Sequence, residues 1–475
     1  MKKIIFALIS VVLTLIYLVV LGVLSYYVYK LNIIPNKYLI IAYTLIGISS
    51  ILLIYNLFKS RIVVKIISGI LLLLLTCLLV FITYYLNNTY HFLTKMKVDY
   101  DTLSYSVLVK NNSSYINIDD LNKRNIAYIN NEDSSSVKKE LNKEIKYNEV
   151  LDYEFTEFTK MLLSEGIDAI VLEESYINLA KEEIEGFSDN TRIIYTFTIK
   201  VKAHEEEEKK IDVTLEPFII YISGIDQYGN VNSVRGRSDV NQLMVINPKT
   251  HHILIANTPR DYYVQLAGTT GLRDKLTHAG IYGIEKSIST IENLYGIDIN
   301  HYIRINFDTL IKVVDVLGGV DIYSEKAFQP WTNSHVYINQ GNIHLNGTEA
   351  LAYARERKTY VDGDHHRGRN QQQIIEAIIS KLTDTNTFLS KYNSILKTLE
   401  GSFQTDMDTS LITGFIKYQL DKMPSWKVDS VSVNGYSSWN YTYSMGYNYY
   451  LWVMEPDWNS VNDIKNKILE VLNEG

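Results

Sequence analysis

Long apolar runs open the chain, and shorter alternating ones follow. From Ile4 to about Tyr29, from Tyr38 to Phe58 and from Ile66 to Leu86 the residues are almost unbroken apolar. Each run reaches the roughly 20 residues that carry a helix across a bilayer, so the pattern predicts a membrane anchor of three transmembrane helices within residues 1–90. Met1-Lys2-Lys3 is the kind of basic start a cleaved leader has, but the first run is too long and lacks a small-residue exit. Lys2, Lys3, Lys59, Arg61 and Lys65 fall on one side of the spans, and Lys30, Lys37, Lys95 and Lys97 on the other. That bias puts the N-terminus in the cytoplasm. It predicts a multi-pass protein of the cell membrane whose globular bulk is extracytoplasmic.

Beyond the spans the apolar runs shorten. "SYSVLV", "NIAYIN", "DAIVL" and "RIIYTFTI" read as strands, while Ser135 to Ile145 and Asp152 to Leu163 repeat apolar residues at helical spacing. They predict a small α/β accessory domain over residues 95–203. It shows no phosphate loop, metal cluster or nucleophile constellation, and its acidic residues are expected on a solvated face. "HEEEEKK", His204 to Lys210, has no apolar period and predicts a charged linker over 204–215. From 216 to 475 strands and helices alternate. "PFIIYISGIDQ" is followed by two strands around Asn247-Pro248-Lys249, a helix "GIEKSISTIENLYG" stopped by Gly296, the strand "HYIRINF", and "DTLIKVVDVLGGVDI" stopped by Gly318-Gly319. Such alternation predicts an α/β fold, an α/β/α layered domain around a central twisted sheet, with its site at the strand ends.

The formal net charge is −7, and the single cysteine, Cys77, lies in the third span. A disulfide framework or a cysteine metal site within the chain is thereby excluded. Against this acidic balance, "ALAYARERKTYVDGDHHRGRNQQQ" concentrates Arg355, Arg357, Arg367 and Arg369. Thr348 is expected to cap a short helix that ends at the first two arginines. Ile374, Ile375, Ile378, Ile379 and Leu382 mark a second helix beginning near Arg367 and Gln371. Cations gain nothing from a helix N-terminus, whereas an anion bound between them gains from the dipole and the free N–H groups. Three explanations stand: ion pairs with Asp362 and Asp364, a phosphate-bearing ligand, or nucleic acid. No nucleic-acid motif is present and an outward-facing domain does not meet DNA, so no nucleic-acid partner is expected.

"GID", "GRSDVNQLMVINP", "NTPRDYYV", "DKLTHAG", "INFDTLIKVVDVLGGVDI", "ALAYARER" and "DGDHHRGRNQQQIIEAI" occur in that order. In them the chain closely resembles the LytR-CpsA-Psr family of cell-wall ligases, from about Glu216 to the C-terminus, where "EPDWNSVNDI" is similar to the family's last strand and helix. Three spans followed by an accessory domain further resemble the streptococcal capsule-type members. The resemblance implies a phosphotransferase that moves a glycopolymer, here capsular polysaccharide, from a polyprenyl pyrophosphate lipid to a hydroxyl of peptidoglycan. It implies Mg²⁺ or Mn²⁺ as cofactor and capsule assembly proteins as partners. By motif position Asp226 and Asp239 resemble the cation-binding carboxylates. Arg260, Arg355, Arg357 and Arg367 resemble the pyrophosphate clamp, with Gln371 beside it. The chain departs from the pattern at Asn370, where many members carry another arginine, and Arg369 is its neighbour. The alternatives are a hydrolase of the same lipid-linked glycan and a non-catalytic sensor or regulator of polysaccharide assembly.

The residue types suit that chemistry independently. Guanidinium groups hold phosphate oxygens bidentately and stay charged, and Mg²⁺ is satisfied by one or two carboxylates plus phosphate oxygens and water. Removing one of two neighbouring carboxylates relieves repulsion, so losing Asp239 is expected to cost little stability. Phe307, with "INFDTLIKVVDVLGG" and "ISTIENLYG", is a candidate for an apolar lipid slot. Asp261 is expected to orient Arg260, and Lys275 either to assist the phosphates or to pair with a carboxylate. His365 and His366, adjacent in what reads as an extended segment, are expected at the surface on the rim.

Overall fold

A computed structural model describes residues 2–95, 100–151, 153–202, 212–225 and 235–475. Asp226 and most of the predicted linker lie outside the described residues.

The chain begins with α1 (Lys2–Leu31), α2 (Asn36–Lys59) and α3 (Ile62–Lys95), each long and apolar enough to cross a membrane. Tyr17, Leu24, Leu57, Leu72 and Leu79 are buried between them, while Leu8, Ile51 and Leu74 point outward. Apolar faces all round are what a lipid-spanning helix needs. The third helix continues past its predicted end at Leu86 because Phe92 and Leu93 are buried against Leu396 of the globular part.

A five-stranded unit follows, formed by β1 (Tyr100–Lys110), β2 (Asn125–Tyr128), α4 (Ser134–Glu144), β3 (Asn148–Val150), α5 (Phe155–Leu163), β4 (Ala169–Glu173), α6 (Glu174–Glu183), α7 (Phe187–Asn190) and β5 (Thr191–Lys202). Its sheet order is β3-β2-β4-β1-β5, and β5 pairs with β1 from Tyr100↔Lys202 to Lys110↔Thr191. Periodicity had marked four of these strands; β3 is too short to show one.

The larger unit contains β6 (Phe218–Ile225), β7 (Ser238–Asn247), β8 (His252–Asn257), β9 (Tyr263–Val264), β10 (Asp274–Lys275), α8 (Ile284–Tyr295), β11 (His301–Asn306), α9 (Phe307–Leu317), β12 (Val320–Ser324) and β13 (Gly341–Leu345). It continues with α10 (Gly347–Ala354), α11 (Asp364–Thr383), α12 (Thr385–Leu399), β14 (Gln404–Thr405), α13 (Thr409–Lys422), β15 (Lys427–Ser432), β16 (Gly435–Thr442), β17 (Gly446–Pro456) and α14 (Trp458–Asn473). The central mixed sheet runs β14-β11-β6-β7-β8-β15, with β11 parallel to β6 and β15 parallel to β8. Alternation sorts its two faces. Tyr221, Leu243, Leu254 and Ala256 pack under α8 and α14. Phe218, Ile220, Ile222 and Ile253 pack under α11 and α13 on the other side. This is the expected α/β/α layering. The anchor docks on the second layer, where Leu396, Ile412, Ile416 and Leu420 meet Leu31, Ile33 and Phe92, and Lys37 pairs with Asp421 at 3.1 Å. One apolar cluster also bridges the two globular units, joining Phe158, Leu162 and Ile177 to Ile281, Met445 and Leu451.

Candidate active site

The site is assembled at the ends of β6, β8 and β11, the edge at which ligands of such sheets are held. The short helix α10 is capped by Asn346, which accepts from the Glu349 N–H at 3.0 Å in a reciprocal capping box; the expected cap, Thr348, already lies inside the helix. Arg355 is its C-cap residue. Its guanidinium lies 4.2 Å from the Phe307 ring centre at the start of α9, and that of Arg357 lies 5.9 Å from Trp331. Arg367 and Gln371 stand in the first turns of α11. Opposite them, the "DKLTHAG" segment presses on the stretch 236–238, which carries Arg237 and leads into β7 and Asp239. A Cβ at Gly280 would sit 2.3 Å from the Gly236 carbonyl oxygen, so only glycine allows this approach.

These elements enclose a cavity of about 360 Å³. One wall is cationic, made by Arg260, Arg355, Arg357 and Arg367 with Gln371 and the carboxylates Glu182 and Asp239; most of the rest is apolar, including Ile222, Ile305, Phe307, Leu310 and Leu351. Thus "INFDTLIKVVDVLGG" does line the cavity. The other stretch, "ISTIENLYG", does not: Ile288, Ile291 and Tyr295 are core residues under the opposite face of the sheet.

Asp239 is fixed on both oxygens, one accepting from Arg260 at 2.8 Å and the other from Thr277 at 2.9 Å. Burial alone would raise its pKa, but the charges of Arg260, Arg237 and Arg367 hold it well below the usual carboxylate range. Asp261 approaches Arg260 Nε at 3.4 Å, as expected. Lys275 pairs with carboxylates, Glu183 at 3.0 Å and Asp261 at 3.5 Å. The ion pairs foreseen in the arginine stretch also form, Arg367 with Asp364 and Arg369 with Asp362. Arg369 further bonds His366 Nδ1 at 2.7 Å. Asn370 is buried and donates to the Tyr353 carbonyl at 3.1 Å. His365 and His366 lie on helix α11, not in an extended segment, and His366 is buried, stacked on Tyr360. The segment becomes helical because Gly363, at φ +42°, turns the chain directly into α11.

Sequence reasoning missed four contributors: Arg237, Thr277, Trp331 and Glu182. The first two sit inside quoted motifs. Glu182 comes from α6 of the five-stranded unit, whose acidic residues were expected in solvent. Its carboxylate bonds Arg260 at 2.9 Å and Arg237 through its second oxygen. In the same unit Asp133 bonds Arg235 at 2.8 Å. These acidic groups tie the units together.

The cluster remains crowded with cations. Burial, with the charges of Arg260 and Arg367 adding to it against the pull of Asp239, lowers the pKa of Arg237. Burial, with Arg367 and Arg260, does the same to Arg357. An anion in the cavity relieves both. The described residues contain no group of three or more His, Cys, Asp or Glu suited to a metal ion. Each Asp239 oxygen, accepting one hydrogen bond, keeps lone-pair capacity, so Asp239 suits a hard cation that needs only one or two carboxylates.

The family model described as LytR_cpsA_psr matches residues 191–467. The polyisoprenyl-teichoic acid–peptidoglycan teichoic acid transferase TagV of Bacillus subtilis (strain 168) is 31% identical over 273 residues, which are 55% of this chain and 66% of that protein. The transferase of the same description, TagU, of Bacillus mycoides (strain KBAB4) is 34% identical over 193 residues, 40% of this chain and 61% of that protein. The chain therefore spans less than two thirds of the length of these relatives. The crystal structure of B. subtilis TagV aligns with 30% identity and a TM-score of 0.46, covering 55% of this chain and 98% of that one.

Proposed function

The chain belongs to the LytR-CpsA-Psr family, and on that premise we propose that it is a phosphotransferase attaching a polyprenyl-pyrophosphate-linked glycopolymer to a peptidoglycan hydroxyl. The observation that carries this reading is the cavity itself, which sets four arginines against a largely apolar lining. That combination suits a pyrophosphate joined to a lipid, because guanidinium forks take the phosphate oxygens while Phe307, Leu310 and Leu351 take the first prenyl units.

Arg355, Arg357 and Arg367 surround the pyrophosphate, and Arg260 is held in place for it by Asp239 and Asp261. The acceptor oxygen attacks the phosphorus bonded to the glycan and the bridging oxygen departs with the lipid as polyprenyl phosphate. The acceptor proton leaves to solvent or to a neighbouring carboxylate. Such a transfer is governed by positioning and by charge stabilisation, which a fixed arginine wall provides without reorganisation. A Mg²⁺ or Mn²⁺ ion held by Asp239, together with Asp226, would neutralise phosphate charge.

In this reading the globular units lie on the extracytoplasmic side, where lipid-linked glycan and peptidoglycan meet; three candidate spans behind a basic N-terminus support that orientation. Protease added to intact protoplasts should then degrade them. For the polymer, the three-span anchor with its second unit favours capsular polysaccharide, whereas the names of the relatives favour a teichoic acid. Purified full-length protein incubated with lipid-linked glycan and peptidoglycan tests the reading. A glycan–peptidoglycan conjugate supports it; free glycan would make the protein a hydrolase, and no turnover in the presence of Mg²⁺ would leave a binding protein.

A further inference from the structure

A second cavity opens beside the first, and the two share Glu182, Arg260 and Arg357. One wall of this second cavity is the inner end of the hairpin β16–β17, at Ser437, Trp452 and Met454. From there the same face of the hairpin runs outward. Cross-strand partners share a face of a ladder, so Ser437 opposite Met454, Trp439 opposite Trp452, and Tyr441 opposite Tyr450 form one surface. Trp439 is 54% exposed and Tyr450 56%. Their rings stack with centroids 6.4 Å apart, and Tyr441 continues the row 5.1 Å from Tyr450. At about 3.4 Å per residue, Ser437 to Tyr441 extends the row by roughly 14 Å.

We propose that this aromatic face is the binding platform for the acceptor glycan strand, which lies along the hairpin and presents its hydroxyl through the second cavity to the shared Arg260 and Arg357. The proposal rests on the phosphotransferase reading of the first cavity and adds where the second substrate binds. Three observations commit the face to that occupant. It is continuous with the site through Ser437 and Trp452, which line the second cavity together with Arg357, so a polymer lying along it has a hydroxyl within reach of that cavity. Its surface consists of two tryptophans, two tyrosines, a serine and a methionine, with no charged side chain among those six residues, which fits the C–H faces and hydroxyls of sugar rings; aromatic faces carry partial negative charge that attracts such C–H groups. Finally, the membrane is elsewhere. The anchor docks on α12 and α13, whereas Met454 and Trp452 belong with the α8 and α14 layer on the opposite face of the central sheet.

The full-length protein in detergent or nanodiscs, compared with Trp439→Ala/Tyr450→Ala and Trp439→Phe, tests this. Binding of soluble peptidoglycan glycan strands stripped of peptide is measured without donor, and KM values for acceptor and donor are measured in the transfer assay. The double variant should bind strands at least tenfold more weakly and raise the acceptor KM by a similar factor. Donor KM, kcat at saturating acceptor and melting temperature should stay as in wild type, and Trp439→Phe should retain most of the affinity. Unchanged strand binding in the double variant overturns the proposal, as does loss of protein self-association in place of strand binding. Strand binding needs no turnover, so failure of the transferase reading would show separately, as a wild-type protein that binds strands without forming conjugate.

Discussion

Asp239 bonds Arg260 with one oxygen and Thr277 with the other, so truncating it leaves a buried guanidinium short of a partner. Breaking a buried pair from one side costs roughly 3–5 kcal/mol. Glu182 and Asp261 still face Arg260, which puts Asp239→Ala near the lower bound. Chemical denaturation should show that loss without any added cation. This reverses the expectation from the sequence, which treated Asp239 as one of two repelling carboxylates; burial beside arginines was not visible there. Arg355 is the contrasting case. It stacks on Phe307 at the wall of the cavity, so Arg355→Ala should weaken lipid-pyrophosphate binding by about 1.5–3 kcal/mol. Arg355→Lys should also impair transfer, since an ammonium lacks the planar fork. Arg369, tied to Asp362 and His366 and 44% exposed, should tolerate alanine. A large drop in stability with normal affinity for Arg355→Ala would assign that arginine to the scaffold.

At the scale of elements, helix α6 brings Glu182 to Arg260 and Arg237, so a carboxylate of the five-stranded unit already occupies part of the arginine fork. An incoming phosphate competes with it. Glu182→Gln removes the competing charge and should tighten inorganic pyrophosphate binding by roughly 1.5 kcal/mol, about tenfold, by calorimetry on the full-length protein. Weaker binding in that variant would instead mean that Glu182 holds the arginines in the binding geometry. Nothing in "ESYINLAKEE" announces this contact, because an acidic helix end facing another unit has the same composition as one facing water. The elements that were legible are those with a strong local cause. Apolar period marked α1 to α3 and the faces of α8 and α9, and Gly296 and Gly318, both left-handed, closed helices where expected. The arginine wall was legible as a motif. The helical start of α11 was not, since "DGDHHRG" has no apolar period and its form is set by Gly363 and by the stacking of His366 on Tyr360. Asp226 lies outside the described residues, so its assignment still rests on motif position.

For the whole molecule, the seam between the two globular units combines the apolar contact of Ile281, Met445 and Leu451 with a buried charge cluster. Glu173, at the end of β4, is fully enclosed there. Desolvation, helped by the charge of Asp133, outweighs the pull of Arg235, Ser175 and Arg304, and its pKa is pushed up to about 7. The sign of the pH effect follows. In the unfolded chain the group titrates near 4.5, so between that pH and about 7 the folded state holds the proton more tightly. Its stabilisation is complete below pH 4.5 and is lost as pH rises through 7. The shift corresponds to roughly 3 kcal/mol. Glu173→Gln, which keeps the shape of the neutral acid, should not lose this contribution. The difference in unfolding free energy between wild type and variant should therefore move against the wild type from pH 4.5 to 7 and level off above. Parallel pH profiles for the two proteins would show that Arg235 keeps Glu173 ionised, with the seam held by the ion pair.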